Sequence, residues 1–481
     1  MQQSNGSCLN LSEQTVSRLI PPVRPLRCIG LLSPYSGGNL GDAAILEATI
    51  RNLRKRVPGV RILGLTLNPD DTRRRHGIEA FPLAGVSRPY YTLVRSDNSR
   101  VEEQPSVKSR RIKTWLKQIP LLGTLFGAIR VCRDELAHIR AARRVVRGLD
   151  RLIITGGGAL DESWGGPWGH PWTLFKWALL GRVFRVPLLF VSVGKSFLKS
   201  PLSRFFIRIA LGLADYRSYR DQESKIDVET LIDARKDPVY PDLAFSYPAP
   251  ALQPARNDGR GDGQLVVGVS PIAYRDPRVW PIKDEGHYAS YVSKMADIVK
   301  WLTKEGHRVL FFTTDSPDLV TVNDIQALIP SNSIPANSTE TLPGSAEQTT
   351  DDFLHAISHA DLTIASRLHG VILSHFNATP AVALSFDPKV DAHMNAIGQK
   401  GYCLAIDQFT VNMFIERFTA LLAARQREQA HLRSAALRFR QLLDLQYDRI
   451  LGMAHSSVMA SAEHTQLDAF LASEADGLKI K

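Results

Sequence analysis

Apolar runs that alternate with helical patterns organise the first half of the chain. Continuous apolar runs predict strands at 28–32, 61–67, 152–155 and 187–193. After the first of them, Ala44, Ile45, Ala48 and Leu53 recur on one face of a predicted helix. Continuous apolar strands that alternate with helices indicate a parallel sheet covered on both faces.

A second series of the same kind follows residues 247–264, where three prolines, three glycines and few apolar residues predict a linker. Strands are predicted at 265–270, 309–312, in the run that ends at Ala365, and at 379–386, with a polar loop around 330–350. A helix that carries Tyr288 and Leu302 on its apolar face is expected to stop near Gly306. Residues from about 411 to 470 are helical by pattern.

The two series predict an α/β protein with two doubly wound, Rossmann-like domains that face each other across a cleft. This is the glycosyltransferase-B type of architecture, here with a C-terminal helical tail. The expected parts are an N-terminal extension (1–26), a first domain (27–246) with a basic helical insertion at about 95–150, the linker (247–264), a second domain (265–410) and the tail (411–481). Open α/β sheets bind ligands outside the carboxyl ends of their strands, so the ligand is expected between the domains.

Composition narrows the class of protein. The chain has 481 residues and 44% hydrophobic content, which is ordinary for a globular protein with well-buried cores. No secretory signal or bilayer-spanning run is visible, and we expect a cytoplasmic protein. The four cysteines lie far apart without a histidine-rich partner segment, which argues against a disulfide framework and against a metal site.

The net charge of +11 is concentrated, because residues 104–149 contain eleven Lys or Arg against two acidic residues. Apolar residues are interleaved with this charge, a pattern that suits an anionic membrane surface at the inner face of the membrane. A solvated basic insertion docked on its own domain is the alternative. No nucleic-acid partner is expected, because no nucleic-acid-binding motif accompanies the charge.

The segment "ASRLHG" at 365–370 puts polar groups where a predicted strand becomes a helix. Ser366, Arg367, Leu368 and His369 would lie on the cleft side, with Gly370 opening the helix, whose free N–H groups attract anions. Arg367 adds a planar fork for carboxylate or phosphate, and His369 adds a cation or a proton donor. Alternatively, Ser366 caps the helix while Arg367 and His369 pair with local groups.

Two glycine-rich turns follow strands of the first domain. In "SGGNLGDAAI", Gly41 allows close approach to a ligand, while Asn39 and Asp42 could accept hydrogen bonds from hydroxyl groups. In "TGGGALDES", Gly157 and Gly158 are compatible with a bound phosphate or substrate. Each turn could equally be structural.

Further candidates stand at other strand ends. "YRSYRDQES" places Arg217 and Arg220 after an apolar helix, where an arginine could reach the cleft from the side opposite Arg367. A surface pair between arginine and aspartate is the alternative. Ser270, at the end of the strand that opens the second domain, is a candidate for the rim of the cleft.

Taken in order, "GNLGDAAI", "TGGGALDES", "SVGKSF", "SYRDQES", "YPDLAFSY", "VGVSP", "FFTTD" and "ASRLHGVILSHFNATPAVALSFDPKV" resemble the polysaccharide pyruvyl transferase family. The likeness runs from about residue 27 to 405. It implies transfer of a carboxyethylidene group from phosphoenolpyruvate to two sugar hydroxyls, which forms a pyruvate ketal in an exopolysaccharide, capsule or wall glycan and releases phosphate.

The resemblance also implies residue roles. Arg220 and the run from Arg367 to His369 match the donor-binding positions of the family. His369 is the candidate acid or phosphate partner, and Asp42 could orient or deprotonate the acceptor, a lipid-linked oligosaccharide or a polysaccharide. No cofactor is expected besides phosphoenolpyruvate as the donor. A nucleotide-sugar glycosyltransferase on the same architecture and a non-catalytic subunit of a glycan-assembly machine are the alternatives.

Overall fold

The computed structural model describes residues 26–85, 120–163, 165–248, 264–330, 332–335 and 337–452, with side chains from residue 129 onward in the helix that begins at 120. Residues 1–25 of the predicted N-terminal extension, most of the predicted linker and the basic residues from 104 to 119 lie outside the described residues. Within the described part of the chain, no helix is both long and apolar enough to span a bilayer.

The first lobe is built on six parallel strands in the order β3-β2-β1-β4-β5-β6. Its strands are β1 (Cys28–Leu32), β2 (Arg61–Thr66), β3 (Glu79–Pro82), β4 (Arg151–Thr155), β5 (Leu188–Val193) and β6 (Tyr216–Tyr219). Its helices are α1 (Leu40–Arg56), α2 (Pro69–His76), α3 (Pro120–Arg147), α4 (His170–Val183), α5 (Pro201–Gly212) and α6 (Gln222–Glu229). Every residue of β1, β4 and β5 is buried, as expected for central strands with helices on both faces.

The second lobe repeats the arrangement in the order β12-β11-β10-β7-β8-β9. Its strands are β7 (Val266–Ser270), β8 (Arg308–Phe311), β9 (Thr339–Thr341), β10 (Leu362–Ala365), β11 (Ala381–Ser385) and β12 (Cys403–Ala405). Its helices are α7 (Glu285–Lys304), α8 (Leu319–Ala327), α9 (Thr350–Ile357), α10 (Leu368–Phe376) and α11 (Pro388–Ala396). The predicted polar loop at 330–350 therefore contains an edge strand, which forms because β9 pairs with the buried strand β8.

The strand order reverses at the same place in both lobes. In the first lobe, Ile29 of β1 lies between Ile62 of β2 and Arg151 of β4. In the second lobe, Ser270 at the end of β7 lies beside Ala365 at the end of β10. The connections from neighbouring strands leave in opposite directions at such a point, which opens a crevice that binds ligands in proteins of this class.

The tail consists of α12 (Val411–Ala423) and α13 (Arg425–Leu451), and α13 joins the two lobes. Near its start, Glu428 accepts a hydrogen bond from Gln399 of the second lobe at 2.8 Å. Near its end, Gln446 accepts a hydrogen bond from Ser192 at 3.0 Å and donates one to Ser218 at 2.7 Å, both in the first lobe. The predicted α/β class, with two Rossmann-like lobes and a helical tail, is confirmed, whereas the exact domain boundaries stay predictions.

Candidate active site between the lobes

The two lobes touch where their sheets switch direction. The amide of Leu40 donates a hydrogen bond to the carbonyl oxygen of Thr314 at 2.8 Å, and the amide of Ser316 donates one to Gly38 at 3.0 Å. Asn39 and Asp315 form an isolated antiparallel bridge between these segments. The glycine-rich turn after β1 is therefore held against the loop after β8, and the cleft is closed at this point.

Gly41 allows the start of α1 to approach His369 of the second lobe. Asn39 caps α1 by accepting a hydrogen bond from the amide of Asp42 at 3.0 Å, which fixes the start of the helix. A Cβ atom at Gly41 would overlap the imidazole ring and lie only 2.5 Å from the Cβ atom of His369. The position thus requires glycine because of this contact between the lobes.

Arg220 follows β6 and is a buried cationic residue of the first lobe. Its side chain is 6% exposed, and its Nε and Nη1 atoms lie 3.4 Å from carboxylate oxygens of Asp221 and Asp242. The Nη2 atom is buried without a hydrogen-bond partner among the described residues. Gly194 makes room for the guanidinium, because a Cβ atom there would lie 2.5 Å from Nη2.

Asp242 lies between Arg220 and His369. Its Oδ2 atom is 3.4 Å from Arg220 Nη1 and 3.7 Å from His369 Nε2, the second being an ion-pair distance rather than a hydrogen bond. Burial alone would raise the pKa of Asp242, but His369, Arg220 and the amide of Ala244 together hold that pKa well below its usual range. Asp242 is therefore ionised near neutral pH and is shared by Arg220 of the first lobe and His369 of the second.

Asp42 belongs to the same cluster. Burial raises its pKa, the Asp242 carboxylate adds to the rise, and His369 and Arg220 oppose it. A Cβ atom on Gly157 would lie 3.4 Å from Asp42 Oδ1, so the turn after β4 approaches this carboxylate closely. The structure brings Asp42, Gly157, Arg220 and His369 together at the switch point of the first lobe.

Arg220 has an Nη2 atom without a hydrogen-bond partner among the described residues, whereas all three guanidinium nitrogen atoms of Arg367 pair with carboxylates of the second lobe. The Nη1 atom of Arg367 is 3.0 Å from Asp315 Oδ2, its Nη2 atom donates to Asp318 Oδ1 at 2.9 Å, and its Nε atom donates to Asp318 Oδ2. Burial, with Asp318 and Asp42 nearby, raises the pKa of Asp315 to about 6 even though Arg367 opposes the rise. An anion placed beside Arg367 would therefore compete with Asp315 for the guanidinium or raise the pKa of Asp315 further.

The start of α10 is packed against the end of β7. The helix begins at Leu368, two residues before the predicted start, and its N-cap residue, Arg367, makes no side-chain cap. Ser366 does not cap it either, because its buried hydroxyl lies 3.1 Å from the hydroxyl of Tyr291. The Ser270 hydroxyl is buried without a partner in the described part of the chain, and a Cβ atom on Gly370 would lie 3.4 Å from it.

A cavity of about 30 Å³ joins the two lobes beside this cluster. Arg220 and Asp242 line it from the first lobe, and Leu368, Lys389 and His393 from the second. That volume holds a water molecule or two and no larger ligand. Arg220 of the first lobe and Lys389 of the second thus line the same cavity, which is too small for a substrate in this structure.

A family model for polysaccharide pyruvyl transferases matches residues 39–388, more than two thirds of the chain. The chain belongs to the polysaccharide pyruvyl transferase family. The resemblance inferred from the sequence motifs is confirmed, and the matched range begins at the N-cap residue of α1 and ends in the first turn of α11.

Solved structures similar to this chain show the fold. Staphylococcus aureus MnaA, in a co-structure with UDP, is 11% identical with a TM-score of 0.52, over 89% of this chain and 98% of that one. A UDP-N-acetylglucosamine 2-epimerase is 10% identical with a TM-score of 0.50, over 88% of this chain and 97% of that one. No curated protein matches the chain.

Not every arginine of the pyruvyl transferase motifs reaches the site. Arg217, three residues before Arg220, pairs with both carboxylate oxygens of Asp237 at 2.7 and 3.1 Å and donates to the carbonyl oxygen of Leu211. The segment therefore contains an arginine–aspartate pair, as the alternative supposed, but the pair is only partly exposed. Gly158 follows Gly157 but approaches Ser196 instead of Asp42. A Cβ atom on Gly158 would lie 3.6 Å from the Ser196 hydroxyl.

Sequence reasoning did not assign Asp242, Lys389 and His393. Asp242 stands in "YPDLAFSY" and Lys389 in "SFDPKV", two of the motifs that carry the family resemblance. Lys389 and His393 are four residues apart on α11, so both face the cavity from one side of the helix. Both residues follow the carboxyl end of β11, and this position in the sequence could have identified them as candidates for the cleft. Across the described ranges, no three His, Cys, Asp or Glu residues are grouped to hold a metal ion, and the metal-free site stays a prediction.

Proposed function

We propose that this pyruvyl transferase moves a carboxyethylidene group from phosphoenolpyruvate to two hydroxyls of a sugar and releases phosphate. The acceptor is a sugar of an exopolysaccharide, capsule or wall glycan, and the reaction takes place between the lobes. The support comes from the family membership together with the charges that meet in the cleft.

One observation carries the proposal. Arg220 of the first lobe and His369 of the second share the single carboxylate of Asp242, while Arg220 Nη2 and His369 Nε2 are buried without hydrogen-bond partners among the described residues. Buried polar groups in native proteins are nearly always satisfied, and cationic groups left open in a cleft favour an anionic ligand. Phosphoenolpyruvate carries roughly three negative charges near neutral pH, and converging cationic groups would hold them.

The chemistry requires one proton delivered to carbon and two removed from oxygen. A proton is added to the methylene carbon of phosphoenolpyruvate, and C2 becomes electrophilic. One sugar hydroxyl attacks C2, the C–O bond to phosphate breaks, and the second hydroxyl closes the ketal. Of the two hydroxyl protons, one balances the proton gained by the new methyl group and the other leaves with phosphate.

We assign the proton donor to His369 and the base to Asp42. Asp242 is a positioning residue, because its carboxylate lies 3.7 Å from His369 Nε2. Burial raises the pKa of Asp42, which brings this carboxylate closer to the range in which a general base works near neutral pH. In the reverse assignment, Asp42 is the acid and His369 is the base. Each single variant would then lose the other limb of the pH–rate profile.

The test uses phosphoenolpyruvate labelled with ¹⁴C in its pyruvyl carbons, incubated with candidate glycans, and with UDP- and GDP-sugars in parallel. We expect the label in the glycan, equimolar release of phosphate and a pyruvate methyl signal in the NMR spectrum of the product. Arg220→Ala and His369→Ala should remove all three, whereas Arg235→Gln, an exposed arginine paired only with Asp233, should not.

Two outcomes would reject the proposal. Transfer only from a nucleotide sugar would favour a glycosyltransferase. An unchanged pyruvate content in the host glycan after Arg220→Ala and His369→Ala would favour a non-catalytic role in glycan assembly.

A further inference from the structure

Exposed apolar side chains are concentrated in one part of the first lobe. Eight of the fourteen large hydrophobic side chains exposed in the described residues lie between residues 129 and 205. Isolated exposed hydrophobic residues are normal, but such a concentration marks an interaction surface.

These side chains share one face because α3, α4 and α5 cover the same side of the first sheet. Val146 of α3, Trp177 of α4 and Ile207 of α5 are buried in a single core cluster with β4 and β5. The opposite sides of the three helices therefore form one outer surface, which includes the turn 166–168 and the loop 197–199. We call this surface the outer helical face.

Aromatic rings form the edge of the outer helical face nearest the cleft. Trp168 is 52% exposed, and its ring packs 5.5 Å from those of Trp172 and Phe206. Phe205 is 53% exposed and packs beside Phe206. Phe197 is half-exposed on the loop that leaves the carboxyl end of β5. These rings are fixed by their neighbours and present apolar edges to the outside.

Cationic residues surround the apolar ones. On α3, Ile129, Arg133, Leu136 and Arg140 recur at helical spacing on one exposed stripe, with Arg130 beside it. Arg208 of α5 and Lys199 are exposed as well.

Acidic groups do little to cancel this charge. Glu135 is buried and accepts a hydrogen bond from Lys176 at 2.9 Å, so it faces inward. Asp134 lies 3.7 Å from Arg133 and neutralises one arginine at most. The outer helical face therefore combines aromatic and aliphatic side chains with an excess of positive charge.

We propose that the outer helical face docks on an anionic membrane surface. Aromatic and aliphatic side chains would enter the interfacial layer, and the arginines and Lys199 would contact lipid phosphates. A second copy of this chain fits less well, because two such faces would bring like charges together. The aromatic edge lies at the carboxyl ends of β4 and β5, so a docked lobe would hold its cleft near the bilayer. That last consequence rests on the proposed function, since it serves a lipid-linked acceptor.

The test is flotation of the full chain with vesicles of phosphatidylcholine, with or without phosphatidylglycerol. We expect binding to the anionic vesicles only, weakened by salt. Arg130→Gln, Arg133→Gln and Arg140→Gln combined should lower the partition coefficient roughly 100-fold. Leu202→Ser with Phe205→Ser should lower it about tenfold. The matched control, Ile282→Ser with Leu437→Ser, removes side chains that are 72% and 58% exposed on other surfaces and should bind like the wild type.

Three outcomes would overturn the proposal. These are equal binding to neutral vesicles, binding that both sets of variants on the outer helical face leave unchanged, and a dimer in sedimentation equilibrium that Phe205→Ser dissociates while no vesicle is bound. Flotation is measured without phosphoenolpyruvate or acceptor, so a failure here is distinct from a failure of the proposed reaction.

Discussion

Replacing Gly41 by alanine tests whether the contact between α1 and His369 is required for activity. The new Cβ atom would lie 2.5 Å from His369 Cβ, at least about 1 Å inside normal carbon contact, and would overlap the imidazole ring. Either the imidazole moves away from Asp242 or the two lobes separate by a similar distance. Both responses take His369 out of reach of the groups in the first lobe.

The expected size of the effect follows from this displacement. A catalytic group misplaced by about 1 Å can lower the rate roughly 100-fold. The helix itself should not suffer, because alanine is more favourable than glycine in a helix by up to about 1 kcal/mol. Gly41→Ala should therefore lose activity while the first lobe stays folded.

The assay is phosphate release at varied phosphoenolpyruvate concentration, with thermal unfolding measured on the same samples. Gly212→Ala is the matched control, because Gly212 is the last residue of α5 and a Cβ atom there would meet nothing within 4 Å. In a double-variant cycle, Gly41→Ala should add little to the loss caused by His369→Ala, because both act through one side chain. Wild-type kcat in Gly41→Ala, or fully additive losses in the cycle, would refute the reasoning.

Three further predictions concern charge, pH and the tail. Arg220→Lys keeps the charge but loses the planar fork, and we expect kcat/KM for phosphoenolpyruvate to fall about 10- to 100-fold in initial-rate measurements; an unchanged value would contradict a role in donor binding. Folding raises the pKa of Asp315 to about 6, so this group stabilises the fold at low pH and loses that contribution as the pH rises through about 6. Thermal unfolding from pH 5 to 8 should therefore show the wild type losing stability relative to Asp315→Asn, and parallel curves would contradict this. Gln446→Leu removes the hydrogen-bond acceptor of the buried Ser192 hydroxyl and should cost about 1–3 kcal/mol in denaturant unfolding, whereas Leu437→Ser, 58% exposed on the same helix, should stay within about 0.5 kcal/mol.

The two-lobed α/β fold could be predicted from the sequence, because its central strands are continuous apolar runs. Residues 28–32 were predicted as a strand with the bounds that β1 has, and the end of β10 at Ala365 was predicted as well. Short elements were missed for a physical reason. β9 consists of three polar or charged residues and becomes a strand only by pairing with β8, and α11 is too short for a helical period to show.

Individual residues of the candidate site were predicted from the sequence, but their combination depends on contacts between the two lobes. Asn39, Asp42 and His369 stand at strand ends that any doubly wound fold brings to the cleft, so their neighbourhood follows from local pattern and topology. No local pattern could show that Asp242 is shared by Arg220 and His369, or that Arg367 is neutralised by Asp315 and Asp318. Hydrophobic periodicity can be recognised from residues that are neighbours in the sequence. The partner and the burial of a charged side chain depend instead on segments that meet only in the folded, two-lobed structure.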